Sequence, residues 1–206
     1  MPTIDLRNIQ IAELKDNAYG TPMTIGDAMS CNLQLRFAEG RLHAESSLAE
    51  FIKKCIGGSI SIGSKYIPFV AQKVMYGHKD KVRSIGNKEV TGLLVSGNDV
   101  GSYVGVSFYA PDMIDNVEKY TCVFVHKAMF GAPSRNYQTM GENIVFQTPT
   151  TTGEFLAKTK EGKELMEAAI CDSVEDAIAW CKAVFAKATA AASTGDESEP
   201  AAGGEG

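Results

Sequence analysis

The chain has 206 residues, 44% of them hydrophobic and 22% charged, which is enough for one sizeable core and too little for two full domains. No run approaches the roughly 20 apolar residues of a membrane span. The opening Met1 to Arg7 lacks a basic region followed by an apolar run, so we predict no signal peptide and expect the protein to stay in the compartment where it is made. The five cysteines are widely spaced, which argues against a disulfide framework or a zinc site.

The formal net charge of −5 is concentrated at the end of the chain. Every Lys and Arg lies at or before Lys187, and four acids follow it: Asp196, Glu197, Glu199 and Glu205. The rest of the chain carries 21 acidic and 20 basic residues, a near-neutral body without a basic stripe for tight binding of nucleic acid. We predict one domain over 1–188 and a disordered acidic tail over 189–206, because the tail has no large apolar residues.

Strand patterns dominate the first 158 residues. Ser30 to Phe37 alternates polar and apolar side chains over eight residues, which is typical of a β-strand, and Ala38 to Gly40 is predicted to be a turn. Ser59 to Ile62 alternates again after the flexible Gly57–Gly58 pair. Pro68 is predicted to open a short helix with Phe69, Val70, Val74 and Met75 on its apolar side, closed by Gly77.

Further strands are predicted towards the C-terminus. Val90 to Val95 and Tyr103 to Tyr109 flank a turn-prone Ser-Gly-Asn-Asp run and are interpreted as a hairpin. Tyr120 to Phe130, Asn143 to Thr148 and Thr150 to Lys158 are interpreted as strands. The region 160–188 is predicted to be helical, with a final helix over about 173–188 that Ser173 and Asp176 cap and whose apolar stripe packs on the sheet. The predicted fold class is mainly β: an antiparallel β-sandwich or barrel with a flanking C-terminal α-helix.

No catalytic signature is recognisable. The sequence contains no Walker-type loop, GxGxxG after a strand, HExxH or GxSxG. His126 interrupts an apolar strand face and is interpreted as a hydrogen-bonded core or interface residue. We therefore predict no enzymatic activity, no cofactor and no metal, and favour a structural or binding role.

Several segments taken together resemble one known family. The stretch Asn143 to Phe155 is similar to the C-terminal strand region of the phi13-type major tail proteins of siphophages. Gly57 to Gly63, Val74 to His78 and Leu6 to Ala12 follow the order seen in that family. Leu42 to Glu50 is also similar, although His43 and Glu45 stand where Tyr and Asp are common. The resemblance covers roughly residues 5 to 158.

The resemblance implies a tail tube subunit. It would form a β-sandwich with a long inter-subunit loop, assembled as hexameric rings that stack into the conduit for DNA and the tape measure protein. The implied partners are other copies of the chain, the tape measure protein, and tail terminator and distal tail proteins, with transient passage of double-stranded DNA and no membrane. The implied location is the tail of the virion, after assembly in the cytoplasm of the bacterial host.

Two sets of residues are candidates for that role. Those predicted to face the lumen are Asn32, Gln34, Arg36, Ser59 and Ser61, with Leu33, Leu35, Phe37, Ile60 and Ile62 facing the core; an ordinary half-exposed strand is the alternative. The segment Gly40 to Gly58 is predicted to contact a neighbouring subunit, or else to be a simple surface loop. Its candidate contacts are Arg41, His43, Glu45, Phe51, Ile52, Lys53 and Lys54. Rival functions are a solitary β-sandwich binding module and, less favoured, a small hydrolase.

Overall fold

The computed structural model describes residues 4–44, 47–139 and 146–190, with side chains for all of these except 43–44, 47–49 and 187–190. It contains eleven strands and two helices in the described part of the chain. The strands are β1 (Arg7–Lys15), β2 (Ala18–Tyr19), β3 (Met23–Thr24), β4 (Ala28–Ala44), β5 (Ser47–Ser64), β6 (Lys79–Ile85), β7 (Lys88–Leu94), β8 (Val104–Ile114), β9 (Val117–Phe130), β10 (Thr150–Phe155) and β11 (Met166–Cys171). The helices are α1 (Phe69–Tyr76) and α2 (Val174–Ala190).

One antiparallel sheet forms most of the molecule. Its strand order is β2-β1-β8-β9-β10-β5-β4, with β3 paired to β1 and β11 paired to β9. The strands β6 and β7 form a separate two-stranded sheet. The mainly β class with a C-terminal helix is therefore confirmed, whereas the barrel is wrong, because the described strands do not close on themselves.

The main core lies on one face of this sheet. Strands from distant parts of the sheet order share it: Ile11 of β1, Ile60 and Ile62 of β5, and Val106 of β8 are all fully buried in one cluster. The sheet must therefore curl, so that β5 and β1 contribute to the same core. Met75 and Ala71 of α1 close this core.

Helix α2 covers the opposite face. Its Ala177 and Cys181 pack against Tyr109 and Cys122, and its Phe185 packs against Phe124. At its start the Ser173 hydroxyl accepts a 3.1 Å hydrogen bond from the backbone N–H of Asp176, so the predicted cap and the predicted packing on the sheet are confirmed. The helix runs two residues beyond the predicted end at 188, and the rest of the predicted tail lies outside the described residues.

Helix α1 begins after Pro68 and ends at Gly77, as predicted. Gly77 adopts φ 76°, and a Cβ there would lie 2.3 Å from the backbone oxygen of Val100, so both conformation and space require glycine. The predicted apolar side is partly wrong, because Phe69 and Val70 are exposed and Ala71, Gln72 and Tyr76 are buried instead.

Three local predictions are wrong. Ala38 to Gly40 is not a turn, because β4 continues to Ala44 and pairs with β5 throughout. Val90 to Val95 does not pair with Tyr103 to Tyr109, since β7 pairs with β6 and β8 pairs with β1 and β9. The region 160–188 is only partly helical, because Met166 to Cys171 forms β11 along β9.

The predicted strand at Asn143 to Thr148 lies partly outside the described residues, and Gln147 and Thr148 are not in a strand.

Candidate functional site

A polar surface extends across three strands of the sheet. Asn32 of β4 stands opposite Ser61 of β5, which stands opposite Thr152 of β10. The next row is Gln34, Ser59 and Glu154 in the same strand order. Since side chains two residues apart share a face, both rows lie on one side of the sheet. The structure thus brings four of the five predicted lumen residues together, and Arg36 follows Gln34 on the same side.

The charges on this polar surface cancel. The guanidinium of Arg36 lies 2.7 Å from Oε1 of Glu154, and both side chains are exposed. The hydrogen bond that Arg36 donates to the Glu154 carboxylate raises the pKa of Arg36. The two rows and this pair therefore present hydroxyls, amides and one ion pair. Among these residues no cation is left uncompensated to attract a polyanion.

The reverse side of the same strands supports the core, in part as predicted. Ile60 and Ile62 are fully buried, and Leu33 packs against them. At the neighbouring Gly58 a Cβ would lie 2.4 Å from Cζ of the buried Phe155, so the ring fills the space that a side chain would need. The prediction is wrong for Leu35 and Phe37, which are 47% and 42% exposed, because β4 has passed the end of the core by that point.

Beyond Gly57, strands β4 and β5 project together as a long antiparallel pair, whose residues 37–44 and 47–55 we call the arm. One face of the arm is internally paired. Lys53 lies 2.9 Å from Glu39 and stacks its ammonium 4.6 Å from the ring centre of Phe37. Arg41 lies 3.6 Å from Glu39 and over the ring of Phe51 at 5.5 Å. These contacts satisfy the charges of this face within the hairpin.

The other face of the arm is open. Leu42 and Ile52 lie there, 58% and 56% exposed, and Gly40 stands directly opposite Ile52. Apolar side chains on a flat, projecting hairpin are a surface suited to protein contact. The arm thus separates the predicted contact residues: Ile52 and Lys54 lie on the open face, while Arg41, Phe51 and Lys53 lie on the paired face.

The sequence interpretation missed part of this arm. Glu45 lies outside the described residues, as does the side chain of His43. Leu42 and Glu39 were not among the candidates, because Ala38 to Gly40 was interpreted as a turn. The alternation of Phe37, Glu39 and Arg41 with Ala38, Gly40 and Leu42 was a usable signal of a continuing strand.

Strand β4 is the last strand of the sheet order, so it has a free edge. None of the other described strands pairs with its outer side. Unpaired N–H and C=O groups along a strand of 17 residues are a template for pairing with another chain. The polar surface, the arm and this edge therefore adjoin on one part of the molecule.

Burial favours the neutral form of two ionisable groups elsewhere, Cys181 and His126. Cys122 and Cys171 are free thiols with sulfurs 3.7 Å apart, and burial raises the pKa of Cys181 beside them to about 11. Burial also lowers the pKa of His126, which is packed on Phe124. Among the described residues there is no group of three or more His, Cys, Asp or Glu that could hold a metal.

A small groove lies beside the start of α1. Its volume is about 280 Å³, and the exposed rings of Tyr66, Phe69 and Tyr137 line it. Arg135 donates a 2.6 Å hydrogen bond to the buried Gln72 at one wall. The groove combines aromatic surface with polar groups, which is the usual composition of a small-ligand or peptide site.

No protein-family model and no curated protein matches the sequence. Neither helix in the described residues is long and apolar enough to cross a membrane.

Proposed function

We propose that this protein is a structural subunit that polymerises as stacked rings into the tail tube of a long-tailed bacteriophage, where it forms the conduit for DNA and the tape measure protein. The proposal joins the family resemblance of the sequence to one structural observation. That observation is the outermost strand β4, which combines a free edge, a polar face and a projecting arm in one element.

The free edge supports polymerisation. In this proposal the neighbour pairs with β4 through a different part of its own surface, so that the contact is head-to-tail rather than two-fold. Head-to-tail contacts close into rings when the rotation between copies divides a full turn. In this proposal the curled sheet is the β-sandwich of the subunit, and β4 continues its sheet into the adjacent copy.

The polar rows support the inner wall. In the proposed tube Asn32, Gln34, Arg36, Ser59 and Ser61 face the lumen together with Thr152 and Glu154. Because Glu154 neutralises Arg36, this wall offers DNA no uncompensated cation among those residues. A surface that captured phosphates would slow transit, since each neutralised phosphate adds salt-dependent affinity.

The arm supports the contact between subunits. Its open face offers Leu42 and Ile52 to a neighbour, while its paired face holds the hairpin in one shape. Preorganisation of this kind lowers the entropic cost of docking. The tail terminator and distal tail proteins are the further partners that the resemblance implies at the ends of the tube.

Negative-stain electron microscopy of the purified full chain tests the proposal. Tubes or rings of uniform width are expected, and monodisperse small particles over a wide range of concentration and salt would contradict it. Cryo-electron microscopy of the tubes then locates Gln34. Density that puts Gln34 on the outer wall would overturn the lumen assignment while leaving the tube intact.

A second candidate is a solitary β-sandwich binding module. The groove lined by Tyr66, Phe69 and Tyr137 favours it, because exposed rings beside an anchored arginine are a recognition surface. This candidate predicts a monomer whose ligand binding is lost when Tyr66 and Tyr137 are both changed to Ala. Tubes that form equally well with that double variant would leave the groove without a part in assembly.

A further inference from the structure

The β6–β7 hairpin separates its charges by sign between its two faces. The strands pair in register from Lys79 opposite Leu94 to Ile85 opposite Lys88, so facing residues share a side of the hairpin. Four cations lie on one face, which we call the basic face: Lys79, Lys81, Arg83 and Lys88. The acids Asp80 and Glu89 lie on the other face. The two strands therefore place no acid among those four cations, although residues 1–190 as a whole are near neutral.

The basic face lacks a partner among the described residues. All residues from Lys79 to Val90 are exposed, and Ile85, Val90 and Leu94 line the same face between the cations. On the opposite face Asp80 already forms a 2.9 Å ion pair with Lys73 of α1. A two-stranded sheet is marginally stable alone, and four like charges on one side of it repel one another. An anionic partner on the basic face would offset the repulsion between the cations and stabilise the hairpin.

The chain itself carries the complementary charge. Residues 191–206 contain Asp196, Glu197, Glu199 and Glu205 and no Lys or Arg. The stretch follows the last basic residue of the chain, Lys187. Its lack of large apolar residues means that its attraction to the body is electrostatic.

Helix α2 ends on the side of the molecule from which the β6–β7 hairpin projects. It runs antiparallel to β8: Ala177 packs near Tyr109, the Ser107 hydroxyl donates to the carbonyl of Cys181, and Phe185 reaches Tyr19. The helix therefore ends past the start of β8, where residues 95–103 lead back to the hairpin. Sixteen residues span up to about 50 Å when extended, and each hairpin strand is roughly 23 Å long.

We propose that residues 191–206 dock on the basic face of the β6–β7 hairpin of the same chain. The tether places the acids at an effective concentration in the millimolar range, so weak individual ion pairs suffice for partial occupancy. Salt releases the segment, because exposed pairs are screened within a Debye length. The contact covers the hairpin in the free subunit and does not depend on the proposed tube.

Hydrogen–deuterium exchange tests the contact by comparing the full chain with a chain that ends at Ala190. At low salt, amides of residues 79–94 are expected to exchange roughly two- to fivefold more slowly in the full chain. The difference disappears at about 0.5 M salt. A full-length variant with Asp196→Asn, Glu197→Gln, Glu199→Gln and Glu205→Gln behaves like the shortened chain, and peptides from α1 and β10 serve as internal controls.

A charge exchange supplies the matched control. Lys81→Glu with Arg83→Glu abolishes the protection, and adding Glu197→Lys with Glu199→Lys restores it. Lys81 and Arg83 are exposed, so their replacement leaves global stability within about 0.5 kcal/mol.

Three results would contradict the proposal. One is exchange in the hairpin that is the same with and without the tail at low salt. Another is protection that grows with protein concentration, because this means docking between copies. The third is protection of the shortened chain by a short DNA duplex with none by the tail, which would assign the face to nucleic acid.

Discussion

The molecule projects two hairpins, and they treat charge in opposite ways. The arm of β4 and β5 carries Glu39, Arg41 and Lys53 on one face and pairs them with one another and with aromatic rings. The β6–β7 hairpin carries four cations on one face without an acid between them. The arm is attached to the core through Gly58 and Phe155, whereas the base of the β6–β7 hairpin is held by a polar contact between His78, which precedes β6, and Asp99, which follows β7.

This difference indicates two kinds of partner. A surface whose charges are paired internally needs no external anion, and it leaves the apolar face of the arm for contact with another protein. A surface with unpaired like charges depends on an external anion and on ionic strength. The first is suited to a permanent joint between subunits, and the second to a contact that can be released.

The largest expected effect is on assembly through the open face of the arm. Changing Leu42 and Ile52 together to Asp abolishes tubes, because buried carboxylates would then oppose the neighbouring subunit. Electron microscopy and sedimentation measure the loss, while urea unfolding stays within about 0.5 kcal/mol since both positions are exposed. Arg41→Gln on the paired face is the control and retains tubes; tubes from the double variant would refute the arm as joint.

The root of the arm gives the largest expected effect on stability. Phe155→Ala removes a fully buried ring and leaves a cavity above Gly58, at a cost of about 3–5 kcal/mol in the free energy of unfolding. Equilibrium unfolding in urea measures it. The exposed neighbour Leu156→Ala is the control and costs less than about 1 kcal/mol. Equal losses in both variants would contradict the anchoring of the arm by Phe155.

We expect the stability of the protein to depend on pH through Asp99, at the base of the β6–β7 hairpin. Asp99 accepts a 2.8 Å hydrogen bond from the N–H of Ser96 and lies 3.0 Å from Nδ1 of His78, and both contacts hold its pKa below the ordinary 3.8. Because the folded-state pKa is depressed, its contribution to stability is complete above 3.8 and is lost as the pH falls through the folded value.

Asp99→Asn is therefore expected to be less stable than the natural chain at neutral pH. The gap between the two closes as the pH is lowered past 3.8. Urea midpoints across the acid range measure the gap, with exposed Asp115→Asn as the comparison. A difference in stability between the two chains that stays constant with pH would show that the charge of Asp99 does not strengthen its contacts with Ser96 and His78.

The smallest effect is expected at the centre of the paired face. Glu39→Gln removes the charge that joins Lys53 and Arg41, at a cost of about 0.2–1 kcal/mol because all three side chains are partly exposed. The variant still forms tubes, and its urea midpoint loses the salt dependence contributed by these pairs. Loss of tubes would mean that subunits contact each other through the paired face, and it would contradict the assignment of this contact to the open face.

The parts of the fold that the sequence predicts are those with local signals. Alternation located β4 from Ser30, the Pro68 and Gly77 pair bounded α1, and Ser173 marked the start of α2. Pairing over long separations could not be obtained in this way. β8 pairs with β1 and β9 rather than with the nearer β7, because the buried Val104 and Val106 belong to the common core.

Local preference also misled at two places. Met166 to Cys171 has helix-favouring Met, Glu and Ala, yet it pairs with β9 and forms β11. Glu39-Gly40 has turn composition, yet the pairing of β4 with β5 carries it through as strand. The candidate residues on the polar surface could be predicted because alternation is a local pattern. The paired and open faces of the arm could not, because they depend on how far β4 continues beyond the core.

The order of strands in the sheet has a consequence for the timing of folding. Ile11 must find Val106, and Ile60 must find Gly153, so the body closes only after most of the chain is available. The β4–β5 and β6–β7 hairpins need only neighbouring residues, and hairpins form in about 1–10 μs. Sheets with distant partners take milliseconds to seconds. During synthesis, the strands of both projecting hairpins are therefore available to pair before the body of the subunit can close.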